Sequence, residues 1–349
     1  MERGRLGLIG MGLIGTAHAR TLQHVDECEL VAVADVDEQY RQPTEEFGAT
    51  FYSDYEQMIR RESLQGVIIA TPNHLHVPIG IACAECGLHL LVEKPIAPEL
   101  AEADRLLEAA TRNKVHILVG HQRRFNARVE RAREIVMGGE LGTLVGVTIT
   151  WALLKPPEYF EGPFAWRKSK GGGPILINLI HEIDNLRYIC GEIKEVFAIA
   201  SNLVRKFAVE DTAGATFRFD NGAVGTAFVS DCAPSSSAYE ATTGENPLIP
   251  HDFGNCYQFF GTKASLLFPQ LTKRFYSDPA KRGWHHPISE QEVNVIAGDD
   301  PYVKQFRHFA RVIRGEEPPR ISGEDGRRTL EATLAVQRSG ETGQPVRLA

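Results

Sequence analysis

Residues 6–19 read LGLIGMGLIGTAHA, and the fold turns on how that apolar, glycine-punctuated run is understood. Arg3 and Arg5 precede it, and Ala17-His18-Ala19 has the small-x-small form of an export cleavage site. Against that, Gly7, Gly10, Gly12 and Gly15 weaken the helix that the core of an export signal adopts. The other reading makes RLGLI a buried strand and Gly10-x-Gly12-x-x-Gly15 the turn into a helix. Gly10 then permits a tight turn. Gly12, followed by Leu13 and Ile14 at the helix start, lets backbone amides approach a pyrophosphate. Gly15 lets the helix pack close to the sheet. A glycine pattern on its own is weak, so its context decides.

That context is an alternation of short apolar runs and helical segments. ELVAVAD (29–35) is a β-branched run ending in Asp35, about 20 residues beyond Gly15, where an acid meets the adenosine ribose of a dinucleotide. A carboxylate there accepts from both ribose hydroxyls and repels a 2′-phosphate, which favours NAD over NADP. The plain alternative is that Asp35 is a polar residue of a strand-end loop. GVIIA (66–70), LHLLVEK (88–94) and VHILVGHQ (115–122) read as further strands, with helices over 76–87 and 98–114 between them. Such alternation predicts a parallel sheet with ligands at the strand C-terminal ends. Thr71, Asn73, His76, Glu93, Lys94 and His121 all fall just past those ends.

The chain has 349 residues, 43% hydrophobic and 24% charged, with net charge −7. That length suits two domains. An acidic balance gives no electrostatic basis for nucleic-acid binding, and no apolar stretch is long enough to span a bilayer. The six cysteines are scattered, and Cys83-x-x-Cys86 has no second pair to complete a zinc site. Scattered thiols fit a reducing, cytoplasmic setting, and no metal is expected.

The glycine turn, Asp35, ATPNHLHVP (70–78), EKP (93–95), GHQRRFN (120–126), Trp166-Arg167 and GGGPILINLIHEID (171–184) occur in that order. Together they resemble the Gfo/Idh/MocA oxidoreductase family over nearly the whole chain. The resemblance implies an N-terminal Rossmann dinucleotide-binding domain, placed at 1–122. A C-terminal α/β domain with a large, mostly antiparallel open sheet is placed at 123–349. It also implies assembly into a homodimer or homotetramer through that sheet, and a polyhydroxylated small-molecule substrate. Lys94 matches the family's catalytic lysine and His181 its catalytic histidine, and the Lys94–Pro95 bond is implied to be cis. Taken only as local sequence, Lys94 and Glu93 could be a surface pair and His181 a core histidine. Many members carry an aspartate four residues before the histidine; here that position is Ile177, next to Asn178.

Beyond residue 143 the pattern is of antiparallel strands. The loop from Lys155 to Gly173 is long enough to be functional, and Trp166 and Arg167 are expected as an apolar wall and a cation near the ligand. Asn178, His181 and Asp184, spaced i, i+3, i+6, form one helical stripe. The insertion 233–255 is expected to lie over the pocket; Tyr239, Glu240 and Asn246, like His285 and His286 after Trp284, are either groups that meet hydroxyls or, the plainer reading, ordinary loop residues. His181, Lys94 and Asp184 are the expected catalytic residues, with His121, Arg124, Trp166, Arg167 and Asn178 around the substrate. Three functions fit this reading: a dehydrogenase of a polyol, a reductase of a carbonyl, imine or ring double bond, and a non-catalytic NAD-binding sensor.

Overall fold

In a computed structural model that describes residues 3–296 and 298–348, the opening run is strand β1 (Gly4–Ile9) followed at once by helix α1 (Leu13–Leu22). The alternation then continues through β2 (Cys28–Ala34), α2 (Arg41–Glu46), β3 (Thr50–Tyr52), α3 (Tyr55–Arg61) and β4 (Gly66–Ile69). After these come α4 (His76–Glu85), β5 (His89–Val92), α5 (Leu100–Asn113) and β6 (Ile117–Val119). The six strands are parallel, in the order β3-β2-β1-β4-β5-β6. The winding reverses between β1 and β4, and such a switch point opens a crevice at the strand C-terminal ends. Every residue of β4 and β6 is buried. Strands covered on both faces read as unbroken apolar runs, which is why these two were legible. The edge strand β3 has three residues, too few to show a period.

The second sheet follows α6 (Ala127–Met137). Its elements are β7 (Leu144–Ala152), α7 (Ile180–Cys190), β8 (Ile193–Ser201), β9 (Thr212–Phe219), β10 (Val224–Ser230), α8 (Tyr239–Thr243), β11 (Tyr257–Gly261), β12 (Ala264–Phe268), β13 (Thr272–Phe275) and β14 (Ser289–Glu292). Helices α9 (Pro301–Ile313) and α10 (Gly323–Thr342) and strand β15 (Val346–Arg347) end the described chain. The nine strands run β14-β13-β12-β11-β7-β10-β9-β8-β15. Neighbours are antiparallel except β7 and β10, which are parallel, with Ala152 opposite Ser230 at their ends. Buried and exposed residues alternate along β9 and β10, so one face is packed and one is open. The packed face gathers Trp151, Phe217, Phe219, Phe259 and Phe268 with Ile183, Leu186 and Ile189 of α7.

Residues through Phe125 together with Asp299–Leu330 form one compact unit, and Asn126–Gly298 with Glu331 onward form the other. The segment 299–330 thus packs with the parallel sheet, although it follows the second sheet along the chain. The reason lies in what α9 buries. Phe306, Phe309, Ala310 and Val312 are fully buried. Phe309 and Ile313 press on Gly66 of β4, where an added Cβ would come within 3.1 and 2.9 Å of them. Further on, the Ile321 carbonyl accepts the Val119 N–H at 2.9 Å and so extends the pairing beyond β6.

Replacing Phe309 with alanine should therefore destabilise the first unit by about 3–5 kcal/mol, the usual cost of emptying a buried aromatic site. Urea denaturation followed by far-UV circular dichroism measures this. A change below about 1 kcal/mol, as for a surface site, would contradict the placement of α9.

Candidate active site

The turn after β1 is built by close approach. Gly10 has φ of 92°, the left-handed side that a Cβ resists. A Cβ on Gly15 would stand 2.0 Å from the Gly10 carbonyl oxygen, so α1 can start here only if residue 15 has none. Gly12, by contrast, faces open space: nothing lies within 4 Å of where its Cβ would be. Gly12 caps α1, whose first turn carries no acid, and Leu13 and Ile14 are 67% and 40% exposed. An open, uncharged helix N-terminus of this kind suits a pyrophosphate. Beside it, Asp35 Oδ2 accepts the Met11 N–H at 2.6 Å and Oδ1 the Asp37 N–H at 2.9 Å. Each carboxylate oxygen keeps a second lone pair for a ribose hydroxyl. Thr71 adds a buried hydroxyl with no hydrogen-bond partner among the described residues. Asn73, half-buried, opens a short 3₁₀ turn before α4. These groups fit a dinucleotide.

Two residues expected to touch the cofactor, Glu93 and His76, have partners within the first unit. Glu93 is buried, with Oε1 2.8 Å from His18 Nε2 on α1. Burial alone would raise its pKa, but the His18 bond and charge, with Lys94, outweigh that and hold the carboxyl below its ordinary value. His76 is also buried, its Nδ1 2.8 Å from the Pro95 carbonyl and its Nε2 2.9 Å from that of Thr71. Burial pushes its pKa down. Together these contacts fix both sides of the turn at Lys94, which is half-buried and precedes a cis peptide bond to Pro95.

In the second unit each glycine of the Gly171–Gly173 run has its own cause. Gly171 has φ of 87°. A Cβ on Gly172 would lie 2.4 Å from the Arg167 backbone, and one on Gly173 would lie 2.2 Å from the Glu210 carboxylate. Glu210 Oε1 in turn accepts the Ile175 N–H at 2.9 Å, and the chain then takes one turn of π-helix, Ile175–Leu179, before α7. Turns of this type concentrate at functional sites. Between residues 172 and 187 only Ile177, Asn178 and His181 keep access to solvent. Asp184, expected to complete that stripe, is buried at 1% exposure. Asn178 Oδ1 instead receives a hydrogen bond from Lys155 Nζ at 2.6 Å, a partner nothing in the local sequence announced.

The other expected site residues differ in burial and in partners. Arg124 is buried, its guanidinium paired with Asp325, and its carbonyl accepts from Arg320 at 3.1 Å. His121 is buried. Trp166 remains exposed. The Arg167 guanidinium lies 3.7 Å from the centre of the Tyr159 ring and donates to the Tyr159 carbonyl at 2.9 Å. Within the 233–255 insertion, Tyr239 is buried and donates to Glu245 at 2.8 Å, while Glu240 accepts the Trp151 indole N–H at 2.9 Å. Both side chains thus have partners within the second unit, and the insertion contains helix α8. Among the described residues no helix is long and apolar enough to cross a membrane.

Residues 4–121 match the model of an oxidoreductase family with an NAD-binding Rossmann fold, and residues 133–348 match the model of its C-terminal α/β domain. The chain is 30% identical over 352 residues to myo-inositol 2-dehydrogenase of Thermotoga maritima, covering 99% of this chain and 98% of the relative. It is 25% identical to an NADP(+) D-xylose 1-dehydrogenase of Haloferax volcanii, covering 98% of this chain and 99% of the relative. A solved levoglucosan dehydrogenase in complex with NADH and levoglucosan shares the fold, with a TM-score of 0.82 at 23% identity over 99% of both chains. With two family models spanning both units and an oxidoreductase relative matched end to end, the chain belongs to the Gfo/Idh/MocA family of oxidoreductases.

Proposed function

We propose that this protein is an NAD-dependent dehydrogenase that oxidises a hydroxyl-bearing carbon of a sugar or cyclitol. The observation that carries the reading is one chain holding both an open glycine cradle beside Asp35 and an accessible Asn178–His181 stripe. Relatives named for inositol and xylose support the substrate class. An oxidised nicotinamide dinucleotide, held by the Gly10–Gly15 turn and Asp35, would supply the hydride acceptor for the carbinol carbon. His181 takes the hydroxyl proton as general base. The Lys94 ammonium stabilises the negative charge developing on the oxygen. Asn178 donates to a substrate oxygen, and Trp166 offers an exposed apolar ring face. Asp184, being buried, acts as a positioning group for α7.

Asp35 makes NAD the preferred cofactor. Both of its oxygens are held by backbone N–H groups, so the carboxylate cannot swing away from an incoming 2′-phosphate.

The open face of the second sheet exposes Val145, Phe197, Ile199, Val224 and Phe228. Register sets Ile199, Gly214 and Phe228 side by side across β8, β9 and β10. A contiguous apolar patch on an open sheet face marks an association surface, and we assign it to a homodimer or homotetramer.

Three measurements test these assignments. With NAD and a panel of sugars and cyclitols, Lys94→Ala and His181→Ala should each lower kcat by about a hundredfold or more while NADH binding by fluorescence is retained; full turnover in both removes their roles. Asp35→Ser should shift the ratio of NAD to NADP dissociation constants by about tenfold or more towards NADP, about 1.4 kcal/mol; an unchanged ratio contradicts the part given to Asp35. Phe228→Asp should reduce the mass measured by light scattering after size exclusion, and an unaltered mass rules out this face.

A further inference from the structure

The position from which many family members present an aspartate to the histidine is filled by Ile177, and the polar group beside it is a carboxamide. Its partner comes from far along the chain. Lys155 lies three residues past the end of β7 and is 7% exposed. Asp231 directly follows β10. Because β7 and β10 are the parallel pair of this sheet, their C-terminal ends lie side by side, and the Lys155 N–H donates to the Asp231 carbonyl at 2.9 Å. Lys155 Nζ stands 3.9 Å from Asp231 Oδ2 and 2.6 Å from Asn178 Oδ1. It lies 4.5 Å from the centre of the Tyr159 ring and 5.4 Å from that of Trp151. Arg205 binds Asp231 Oδ1 at 2.7 Å and the Lys155 carbonyl at 2.8 Å, closing the cluster.

An ammonium has only donors. Whichever way a carboxamide is first placed, the atom it turns to a lysine must be its oxygen. The Lys155 contact therefore decides the orientation of Asn178, and the amide N–H groups face away from the lysine. Asn178 is one of the three residues on this stretch that solvent reaches, one turn before His181. A charged donor on the amide oxygen also polarises the N–H bonds and strengthens them as donors. A carboxylate at this point would be an acceptor. The lysine-held amide is the opposite, so it recognises an oxygen that accepts.

We propose that Lys155 is a positioning residue for the reaction, holding the Asn178 carboxamide by its oxygen so that its NH2 group donates to an oxygen of the substrate. This rests on the polyol dehydrogenase reading above. Asn178 makes the contact and Lys155 acts through it.

The test uses the full-length protein with NAD and the best-oxidised sugar or cyclitol, alongside calorimetric binding of that polyol in the presence of NADH. Lys155→Met should lower kcat/KM by about tenfold or more, chiefly through KM, weaken polyol binding in parallel and leave NADH affinity unchanged. Lys155→Arg, which keeps a cation there, should recover part of the loss. Asn178→Asp is decisive: it keeps an oxygen for the lysine but has no N–H to offer, so it should be as impaired as Asn178→Ala. Lys155→Met added to Asn178→Ala should cost nothing further, because the lysine acts only through the amide. Wild-type kinetics in Asn178→Asp, or losses that multiply in the double variant, overturn the inference and leave the dehydrogenase reading standing. A wild-type protein that binds NADH yet oxidises and binds no polyol removes that reading, and this inference with it.

Discussion

A buried carboxylate sets the geometry of the first unit. Glu93 sits directly before Lys94 and is held by His18 from the helix that follows the glycine turn. Gly120, just past β6, has no Cβ because one would lie 2.8 Å from Glu93 Oε1. One acidic side chain thus ties together the glycine cradle, the turn at Lys94 and the end of a third strand. Removing one partner of such a pair strands the other charge in a poor dielectric, at about 3–5 kcal/mol. His76 braces the far side of the same turn through backbone carbonyls. Glu93 and His76 therefore brace the turn on which Lys94 stands.

The second unit depends on an irregularity of topology. In a sheet that is otherwise antiparallel, β7 and β10 run together. Their shared end collects Lys155, Asp231 and Arg205, and burial there raises the pKa of Asp231 even though Arg205 and Lys155 pull it down. A π-helical turn, begun against Glu210, then brings Asn178 to Lys155. The turn that leads into the helix carrying His181 is met by groups from two other parts of the chain, Glu210 and Lys155. Next to the isoleucine at 177, the Asn178 carboxamide is thus met by a group far away in the chain.

Much of this was legible in the residue order. The Gly10–Gly15 turn, the acid at 35, the buried runs of the parallel sheet and the EKP and GGG segments are local signals. In each, the physical requirement falls on consecutive residues, so it leaves a short readable pattern. Arg124 and Tyr239 show where this fails. Both stand among the candidate ligand residues in the sequence, and nothing local announces that Arg124 pairs with Asp325 or that Tyr239 donates to Glu245. A side chain's type says what it can bond to, and only its neighbours say whether that capacity is already spent.

The sequence by itself determined the class of both sheets, the nucleotide turn and the family, because periodicity and backbone strain are properties of neighbouring residues. Tertiary structure alone decided that α9 completes the first core, that Asp184 turns inward while Asn178 and His181 stay accessible, and that Lys155 meets Asn178. Those outcomes depend on which distant surfaces bury each other, and burial pairs residues by shape and charge across the fold without regard to their separation along the chain.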